Sequence, residues 1–303
     1  MMSIAEAKAE LAPKFEELRR LRAERPDAIA EILDSRRRRP LIQGDGRLFI
    51  VAADHPARGA LGVRDNPSAM ADRYELLARL AIALQRPGVD GVLGTPDIID
   101  DLALMGLLED KIVVGSMNRG GLRGAAFEMD DRFTGYDIDG IVRDRLDFAK
   151  TLIRINLEDA DSLATIEANA RAVDAAAAAG VPIMLEPFLS EWRDGKVVNN
   201  LSTEAVIKSV AIASGLGNSS AYTWMKLPVA DDMEAVMAST TLPTLLLGGE
   251  PTGPAEEVYA SWQKTLSLPG VRGLVVGRTL IYPQDDDVAK AVDTAAAMVH
   301  GLD

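Results

Sequence analysis

The sequence contains no cysteine and only two histidines, His55 and His300, among its 303 residues. The absence of cysteine excludes disulfides, thiolate zinc sites and a thiol nucleophile, and it fits a reducing, cytoplasmic compartment. Catalytic zinc is usually held by several histidines. With only two, one of them at the extreme C-terminus, we predict neither a metal site nor a cofactor.

Positive charge is also scarce, since 33 Lys and Arg face 46 Asp and Glu, for a net charge of −13 and a pI of about 4.7. Nucleic acids and anionic membranes attract proteins with a positive surface field, so neither is an expected partner. No apolar run reaches the 18 or so residues of a membrane span. The N-terminal residues also lack the apolar region of a secretory signal, so we expect a cytoplasmic location.

The chain does contain eight short apolar runs separated by helical patterns. The runs cover residues 48–54, 89–94, 111–116, 151–156, 181–188, 222–229, 242–249 and 271–277. This alternation predicts an α/β fold, a (β/α)₈ TIM barrel over residues 45–303. A doubly wound open sheet is the alternative, because strand count alone does not establish closure. No GxGxxG follows the first run, which removes the usual dinucleotide reason for an open sheet.

The first 44 residues precede the barrel as a helical extension. Apolar positions at helical spacing over residues 4–35 predict one or two surface helices. Four arginines then follow, from Arg36 to Arg39. We interpret this tract as a solvated helix terminus, where cations complement the helix dipole, rather than as a phosphate or partner site.

One lysine, Lys226, interrupts the apolar sixth run, "YTWMKLPV". Period-2 alternation places Tyr222, Trp224 and Lys226 on one face of the strand and the apolar alternates on the other. The polar face should point into the barrel, with Lys226 near the mouth and Trp224 one layer below. Burial lowers the pKa of an amine and favours its neutral, nucleophilic form. Position alone leaves imine chemistry and a structural ion pair equally open.

Other strand ends supply further polar side chains. Alternation along the first run predicts that Asp54, at its end, points inward. There it either transfers a proton or caps a turn. In the fourth run Arg154 and Asn156 should enter the interior, which is costly unless they bind a ligand or each other. Glu186 ends the fifth run as a second carboxylate, with a salt bridge to Arg154 or Lys226 as the structural alternative.

Glycines follow the last two strands, in "GGEP" and "VGRT". Barrels often bind phosphate at this corner, because glycines let backbone N–H groups approach an anion. The predicted phosphate site consists of Gly248, Gly249, Gly277 and Arg278. The alternative is that these glycines only form turns.

These strand ends together resemble class I aldolases of the DeoC/FbaB type. The features are the inward lysine on the sixth strand, "ADH" after the first, "GGEP" after the seventh and "VGRTLIYPQDDDVAKAVDTAAAMVH" at the eighth. That archaeal-type fructose-bisphosphate aldolase group also includes autoinducer-2 thiolases. More narrowly, the chain resembles (β/α)₈ proteins of actinobacteria and proteobacteria that are associated with inositol catabolism. The resemblance covers about residues 45–300, and only the strand ends are specific.

The resemblance implies a metal-independent lyase that cleaves a phosphorylated ketose. Lys226 would form the Schiff base and Asp54 would handle protons or the carbonyl oxygen, while Gly249, Gly277 and Arg278 would bind phosphate. The relatives usually have a catalytic tyrosine at the end of the fifth strand, where this chain has Glu186. The identity of the general acid and base therefore stays open.

The resemblance also bears on the substrate and on assembly. The inositol association suggests 2-deoxy-5-keto-gluconate 6-phosphate, cleaved to dihydroxyacetone phosphate and malonate semialdehyde, with fructose 1,6-bisphosphate or another phosphoketose still open. The relatives often form rings, so a homo-oligomer is expected. Two other functions are open: an acyl-transferring, thiolase-like barrel that uses the same lysine, and a non-catalytic phosphosugar-binding barrel.

Overall fold

The computed structural model describes residues 3–249 and 254–302. In this part of the chain the strands are β1 (Leu48–Ala52), β2 (Gly91–Gly94), β3 (Ile112–Ser116), β4 (Phe148–Ile155), β5 (Ile183–Arg193), β6 (Lys196–Asn200), β7 (Thr223–Leu227), β8 (Thr244–Leu247) and β9 (Val271–Val276). The helices are α1 (Ile4–Glu10), α2 (Ala12–Glu24), α3 (Ala28–Ser35), α4 (Arg73–Leu84), α5 (Pro96–Leu104), α6 (Ile138–Arg143), α7 (Ser162–Ala179), α8 (Thr203–Ser214), α9 (Met233–Ala238), α10 (Ala255–Leu266), α11 (Arg278–Ile281) and α12 (Val288–His300). None of these helices is both long and apolar enough to cross a membrane.

Eight parallel strands close into a barrel. β1 pairs with both β2 and β9, and β4 pairs with β5, so the sheet has no open edge among these eight strands. β6 lies outside the barrel and forms an antiparallel hairpin with β5. Closure confirms the predicted TIM barrel and excludes the open sheet.

Each predicted apolar run overlaps one barrel strand, but two strands are longer than predicted. β4 begins at Phe148 rather than at residue 151, so it includes Lys150. β5 continues to Arg193 because it pairs with β6 through a turn at Asp194 and Gly195, both with positive φ. Gly180, also at positive φ, ends α7 as predicted.

Alternation along the strands places most of the core in two apolar clusters, with a small third one of Leu152, Phe188 and Leu247. One fills the barrel interior, and its members include Leu48, Ile50, Leu93, Val114, Phe148, Met184 and Val275. The other lies between the strands and the helices and contains the alternate residues, such as Phe49, Val51 and Met225. Strands buried on both faces therefore read as continuous apolar runs, as expected for a parallel barrel.

Three N-terminal helices pack on the outside of the barrel, where the sequence predicted one or two. Pro13, in the first turn of α2, and Pro26, after its end, separate the three helices, because proline fits a first turn but disrupts a helix interior. Ile4, Phe15 and Leu33 are buried in the same cluster that joins the barrel strands to their helices. The extension thus contributes to the main core.

The arginine tract that follows α3 is not the solvated helix terminus that we expected. Arg36 is buried and donates to Asp147, and Arg38 donates to the same carboxylate. Arg39 pairs with Asp90. These two aspartates precede β4 and β2, so the tract binds the N-terminal end of the barrel. The helix-dipole interpretation was wrong because these carboxylates, distant in sequence, provide stronger partners.

Candidate active site

Four ionisable side chains meet inside the barrel near the C-terminal ends of its strands. Lys150 comes from β4, Glu186 from β5 and Lys226 from β7, while Asp54 follows β1. All four are buried. Asp54 and Lys226 point inward as predicted, and Glu186 lies beside the amine: Lys226 contacts Glu186, and Lys150 contacts both Glu186 and Asp54.

Glu186 bridges the two lysines. Lys226 Nζ donates to its Oε1 at 2.9 Å, and Lys150 Nζ pairs with its Oε2. The sequence left Arg154 or Lys226 as the structural partner of Glu186, and the structure selects Lys226 and adds Lys150. Two amines therefore share one carboxylate between them.

Burial sets the protonation of this group. It lowers the pKa of Lys226, against the effect of Glu186, and it lowers the pKa of Lys150 well below the ordinary value, with Arg119 adding to that shift. Burial alone would raise the pKa of Glu186, but the two amines outweigh it and hold that pKa below its usual value. Glu186 is thus ionised at neutral pH, while an amine loses its proton more readily than an exposed lysine does.

Asp54 forms the other half of the site. Its Oδ2 accepts from Ser116 Oγ at 2.9 Å, pairs with Arg119 and lies 3.4 Å from Lys150 Nζ. Its Oδ1 is buried without a hydrogen-bond partner among the described residues, and His55 Nδ1 lies 3.9 Å away from it. One carboxylate oxygen is therefore available to a bound ligand.

A long connection, residues 117–137 between β3 and α6, lies across this end of the barrel; we call it the mouth loop. Asn118 of the loop binds the backbone of β4, accepting from Leu152 N at 2.7 Å and donating to Leu152 O at 2.6 Å. The loop also carries Arg119 to Asp54. The hydrogen bonds of the Asn118 side chain to the β4 backbone therefore hold the loop in the position where Arg119 completes the site.

Arg154 enters the barrel mouth as predicted, but its partners lie in the mouth loop. Its Nη2 donates to Asp131 Oδ1 at 2.6 Å, and its Nη1 lies 3.5 Å from Glu128 Oε1. These contacts anchor the loop to β4. These ion pairs offset the cost of burying the charged side chain of Arg154. A contact with substrate is therefore not needed to explain its burial.

Two other predicted binding residues lie away from the lysines. Trp224 is inside the barrel one layer below Lys226, as predicted, and packs edge-on against Phe148 with ring centroids 5.5 Å apart. Asn156 lies beyond the end of β4 rather than in the interior, and its side chain accepts from Glu158 N at 3.0 Å. It lines a cavity of about 540 Å³ between this turn and the β5–β6 hairpin.

The predicted glycine corner is formed by the ends of two neighbouring strands. β8 leads to Gly248 and Gly249, and β9 leads to Gly277 and Arg278, whereas the next residues of "GGEP", 250 and 251, lie outside the described chain. A Cβ at Gly248 would lie 2.5 Å from Val276, and one at Gly277 would lie 2.4 Å from the carbonyl oxygen of Ala52. Close packing explains these two glycines by itself.

Gly249 differs from the other glycines of this corner. Its φ of +65° favours glycine, and a Cβ there would meet no atom of residues 3–249 and 254–302 within 4 Å. The described part of the chain therefore leaves space beside it. Arg278 donates to Gly62 O at 3.4 Å and so links this corner to the segment after β1.

Sequence reasoning missed Lys150 and Arg119. Lys150 lies four positions before Arg154 in "FAKTLIRI", so it is on the same face of the strand. Extending the predicted alternation backward along the strand would have found it. It was missed because the predicted run began at residue 151, three residues after the first residue of β4 and one after Lys150. Arg119 has no such signal, since the direction of a loop side chain is not periodic.

The two histidines are far apart in the fold. His55 adjoins Asp54, and burial lowers its pKa well below the ordinary value, with Arg278 and Lys226 adding to the shift. His300 lies at the other end of the barrel, 2.8 Å from Asp45 and 3.1 Å from Asp90. Within residues 3–249 and 254–302, no group of three or more histidine or acidic side chains is arranged to hold a metal ion.

Comparison with known proteins begins with a family model, described as Cgl0159-like, that matches residues 46–296. The chain belongs to the Cgl0159-like family. The crystal structure of Cgl0159 from Corynebacterium glutamicum (Brevibacterium flavum) is 69% identical in sequence. The match covers 96% of this chain and 98% of that one, with a TM-score of 0.94. No protein with a curated description matches the sequence.

Solved aldolases share the fold of the Cgl0159-like barrel. A Schiff-base-forming fructose-1,6-bisphosphate aldolase matches with 24% identity and a TM-score of 0.65, over 89% of this chain and 99% of that one. An archaeal fructose-1,6-bisphosphate aldolase, solved with its catalytic lysine bound to a carbinolamine intermediate, matches with 23% identity and a TM-score of 0.66, over 90% and 100%. The class I aldolase fold is therefore shared, and function has to be argued from the site.

Proposed function

We propose that this protein is a class I aldolase that cleaves a phosphorylated ketose through an imine on Lys226. The observation that carries the proposal is the pair of buried amines that share Glu186 at the C-terminal mouth of the barrel. Burial favours a neutral amine, and a neutral amine is the nucleophile that imine formation requires. The site thus provides a nucleophile, a carboxylate and a second amine in mutual contact.

Lys226 is the better candidate for the nucleophile. Its side chain is 6% exposed and has one carboxylate partner, whereas that of Lys150 is fully buried and lies between Asp54 and Glu186. An attacking amine has to reach a substrate carbon, which favours the accessible one. Lys150 is better suited to passing protons between the two carboxylates.

The reaction begins when neutral Lys226 attacks the ketone carbon to form a carbinolamine. Protonated Lys150 supplies, through the Glu186 carboxylate, the proton with which the carbinolamine hydroxyl leaves as water, giving an iminium ion. A carboxylate, Asp54 or Glu186, then takes the proton of the hydroxyl two carbons from the iminium carbon. The carbon–carbon bond breaks, its electrons form an enamine, and the aldehyde departs. Protonation of the enamine carbon and hydrolysis release the second product and Lys226.

The expected ketone product is dihydroxyacetone phosphate. The glycine corner supports a phosphate at that end of the substrate, because the described residues leave space beside Gly249, next to Gly277 and Arg278. Within this class we propose 2-deoxy-5-keto-gluconate 6-phosphate, which would yield malonate semialdehyde as the aldehyde, with fructose 1,6-bisphosphate as the second candidate. A cytoplasmic location and assembly into a homo-oligomer remain predictions from the sequence.

Borohydride trapping tests the proposal directly. The protein is incubated with dihydroxyacetone phosphate, reduced with borohydride and digested, and the peptides are weighed by mass spectrometry. We expect the added mass on the peptide that contains Lys226. The variant Lys226→Met should acquire no label and show no turnover.

Lys150→Met is the matched control, because it removes the neighbouring amine from the same cluster. It should still be labelled at Lys226. Label on Lys150 in the wild-type protein would contradict the assignment of the nucleophile. Absence of any label would reject the aldolase and favour a non-catalytic phosphosugar-binding barrel, while turnover that requires an added thiol acceptor would favour the thiolase-like alternative.

A further inference from the structure

A small apolar cluster lies at the mouth of the barrel, apart from the two larger clusters of the core. It consists of Leu152 of β4, Phe188 of β5 and Leu247 of β8, and all three side chains are buried. We call this cluster the apolar cap. It contrasts with the charged side chains directly below it, and it lies at the end of the barrel where a TIM barrel binds its substrate.

On β4 and β5 the apolar cap lies one layer closer to the mouth than the ionisable side chains of the site. Leu152 is two positions after Lys150, and Phe188 is two positions after Glu186. Because side chains alternate along a strand, each pair shares the inward face of its strand. Leu152 and Phe188 therefore border the amine and the carboxylate on the side of the mouth.

Leu247 extends the apolar cap across β7, the strand that carries Lys226. In the sheet, β7 lies between β5 and β8. Leu245 pairs with Lys226, and Leu247 is two positions further toward the mouth. The contact that joins Leu247 to the cap residues of β4 and β5 therefore lies on the mouth side of Lys226, whose side chain stays 6% exposed. The cap covers Lys226 and still leaves it within reach of a substrate.

The backbone polar groups of Leu152 already have partners. Asn118 of the mouth loop accepts from Leu152 N at 2.7 Å and donates to Leu152 O at 2.6 Å. The side chains of Leu152 and Phe188 are hydrocarbon. A substrate hydroxyl placed against them would lose water without gaining a hydrogen bond, whereas a methylene group would gain apolar contact.

The two halves of the substrate meet different parts of the apolar cap. The phosphate of the ketone half is proposed to lie at the glycine corner, which directly follows Leu247 at the end of β8. The ketone carbon is on Lys226, and β5, which carries Glu186, flanks β7 on the side away from β8. The aldehyde half therefore extends from Lys226 toward β5 and β4, beneath Phe188 and Leu152.

We propose that Leu152 and Phe188 select substrates with a methylene group, rather than a hydroxyl-bearing carbon, next to the carbon that becomes the aldehyde. This inference rests on the proposed aldolase function. It favours a deoxyketose over a fully hydroxylated ketose, and so 2-deoxy-5-keto-gluconate 6-phosphate over fructose 1,6-bisphosphate. Leu152 and Phe188 are residues that determine this specificity.

The condensation direction provides the test, with two acceptors that differ by one hydroxyl group. Dihydroxyacetone phosphate is supplied with malonate semialdehyde, which has a methylene group beside its aldehyde, or with tartronate semialdehyde, which has a hydroxyl-bearing carbon there. The wild-type kcat/KM should be about 10- to 100-fold higher for malonate semialdehyde, the discrimination that one buried, unpaired hydroxyl produces. Equal values, or a preference for the hydroxylated acceptor, would overturn the inference.

Substitutions locate the discrimination. Leu152→Asn keeps a similar size and adds a donor and an acceptor, so the ratio of the two kcat/KM values should fall by about 10-fold. Leu152→Met keeps an apolar surface and should hold the wild-type ratio. Leu163→Asn makes the same change as the first variant at an exposed position of α7 and should also hold it. An unchanged ratio in Leu152→Asn, or an equal fall in either control, contradicts the role of the cap. The wild-type preference is an independent test if Leu152→Asn does not fold.

Borohydride trapping separates this inference from the aldolase proposal. Because Leu152 faces the aldehyde half, Leu152→Asn should still be labelled at Lys226 when dihydroxyacetone phosphate is the only substrate. Absence of label in the wild-type protein rejects the aldolase. Normal labelling together with equal kcat/KM for the two acceptors rejects only the role of the apolar cap.

Discussion

The two ends of the barrel both contain buried ion pairs, but they differ in how completely the carboxylates are satisfied. At the N-terminal end, Asp147 Oδ2 accepts from Arg36 at 2.7 Å and from Val113 N at 2.9 Å, and its Oδ1 accepts from Arg38 at 2.7 Å. Both of its oxygens are therefore bonded.

The C-terminal end is left incomplete by comparison. Asp54 Oδ1 has no hydrogen-bond partner among the described residues, and two amines share Glu186. Buried polar groups are normally satisfied, so unsatisfied ones indicate a site that a ligand completes. The same residue types therefore stabilise the fold at one end and support a reaction at the other.

The largest expected effect on activity comes from a substitution at the C-terminal end, Lys150→Met. Methionine fills much of the same space, and Glu186 and Asp54 keep Lys226 and Arg119 as partners. We expect kcat to fall by about 10²- to 10⁴-fold, the usual contribution of proton transfer, with little loss of stability. Steady-state kinetics and denaturant unfolding measure the two effects. A large loss of stability with normal kcat would make Lys150 structural.

The converse substitution at the N-terminal end is Asp147→Ala. It leaves the buried Arg36 without its carboxylate, so unfolding should become easier by about 3–5 kcal/mol, while kcat of the folded protein should not change. Urea titration measures the loss. Glu167→Ala removes the partner of Arg171 in an exposed pair on α7 and should cost no more than about 1 kcal/mol. Equal losses in both variants would contradict the role of burial.

Two glycines, one at each end of the barrel, allow a matched test of the phosphate site. Gly249 follows β8, and Gly106 lies in the connection between α5 and β3, at the opposite end of the barrel. Both have positive φ, and at both a Cβ would meet no atom within 4 Å in the part of the chain that the structure describes. Valine at either position should cost a similar strain, of order 1–3 kcal/mol.

Only Gly249→Val should affect the substrate. Its side chain would occupy the space proposed for phosphate and raise KM by about 10- to 100-fold, with a smaller change in kcat, since ground state and transition state hold the phosphate alike. Imine formation with a small unphosphorylated ketone should persist. An unchanged KM for the phosphorylated substrate would mean that the corner is only a turn.

The smallest expected effect concerns His300 at the N-terminal end. The Asp90 carboxylate, 3.1 Å from its Nε2, raises the pKa of His300 against the effect of burial, and Asp45 adds to the rise. Because the folded pKa is raised, its contribution is fully present below the unfolded value, about 6.5, and is lost as pH rises through the folded value. The stability difference between wild type and His300→Gln, at most about 1 kcal/mol, should therefore shrink between about pH 6 and about pH 9. Melting curves at both pH values check this trend.

Much of the active-site cluster was predictable because parity within a strand is a local property. Lys226, Glu186 and Asp54 each continue an alternation that the apolar residues define, and all three point inward. Lys150 follows the same rule but was missed at the uncertain start of its strand. Arg119 lies in a loop, where no period links sequence position to side-chain direction, so the sequence offered no means of placing it.

The sequence by itself determined the eight strands, the helices between them and the inward face of each strand, because backbone geometry and the hydrophobic effect act on residues close together in the chain. Only the tertiary structure decided which charged groups meet. Lys226 and Glu186 are 40 positions apart, and Lys150 and Asp54 are 96 apart. Barrel closure and the path of the mouth loop bring them together and exclude water from them. That burial shifts the pKa values of the two lysines, and no local pattern of residues encodes it.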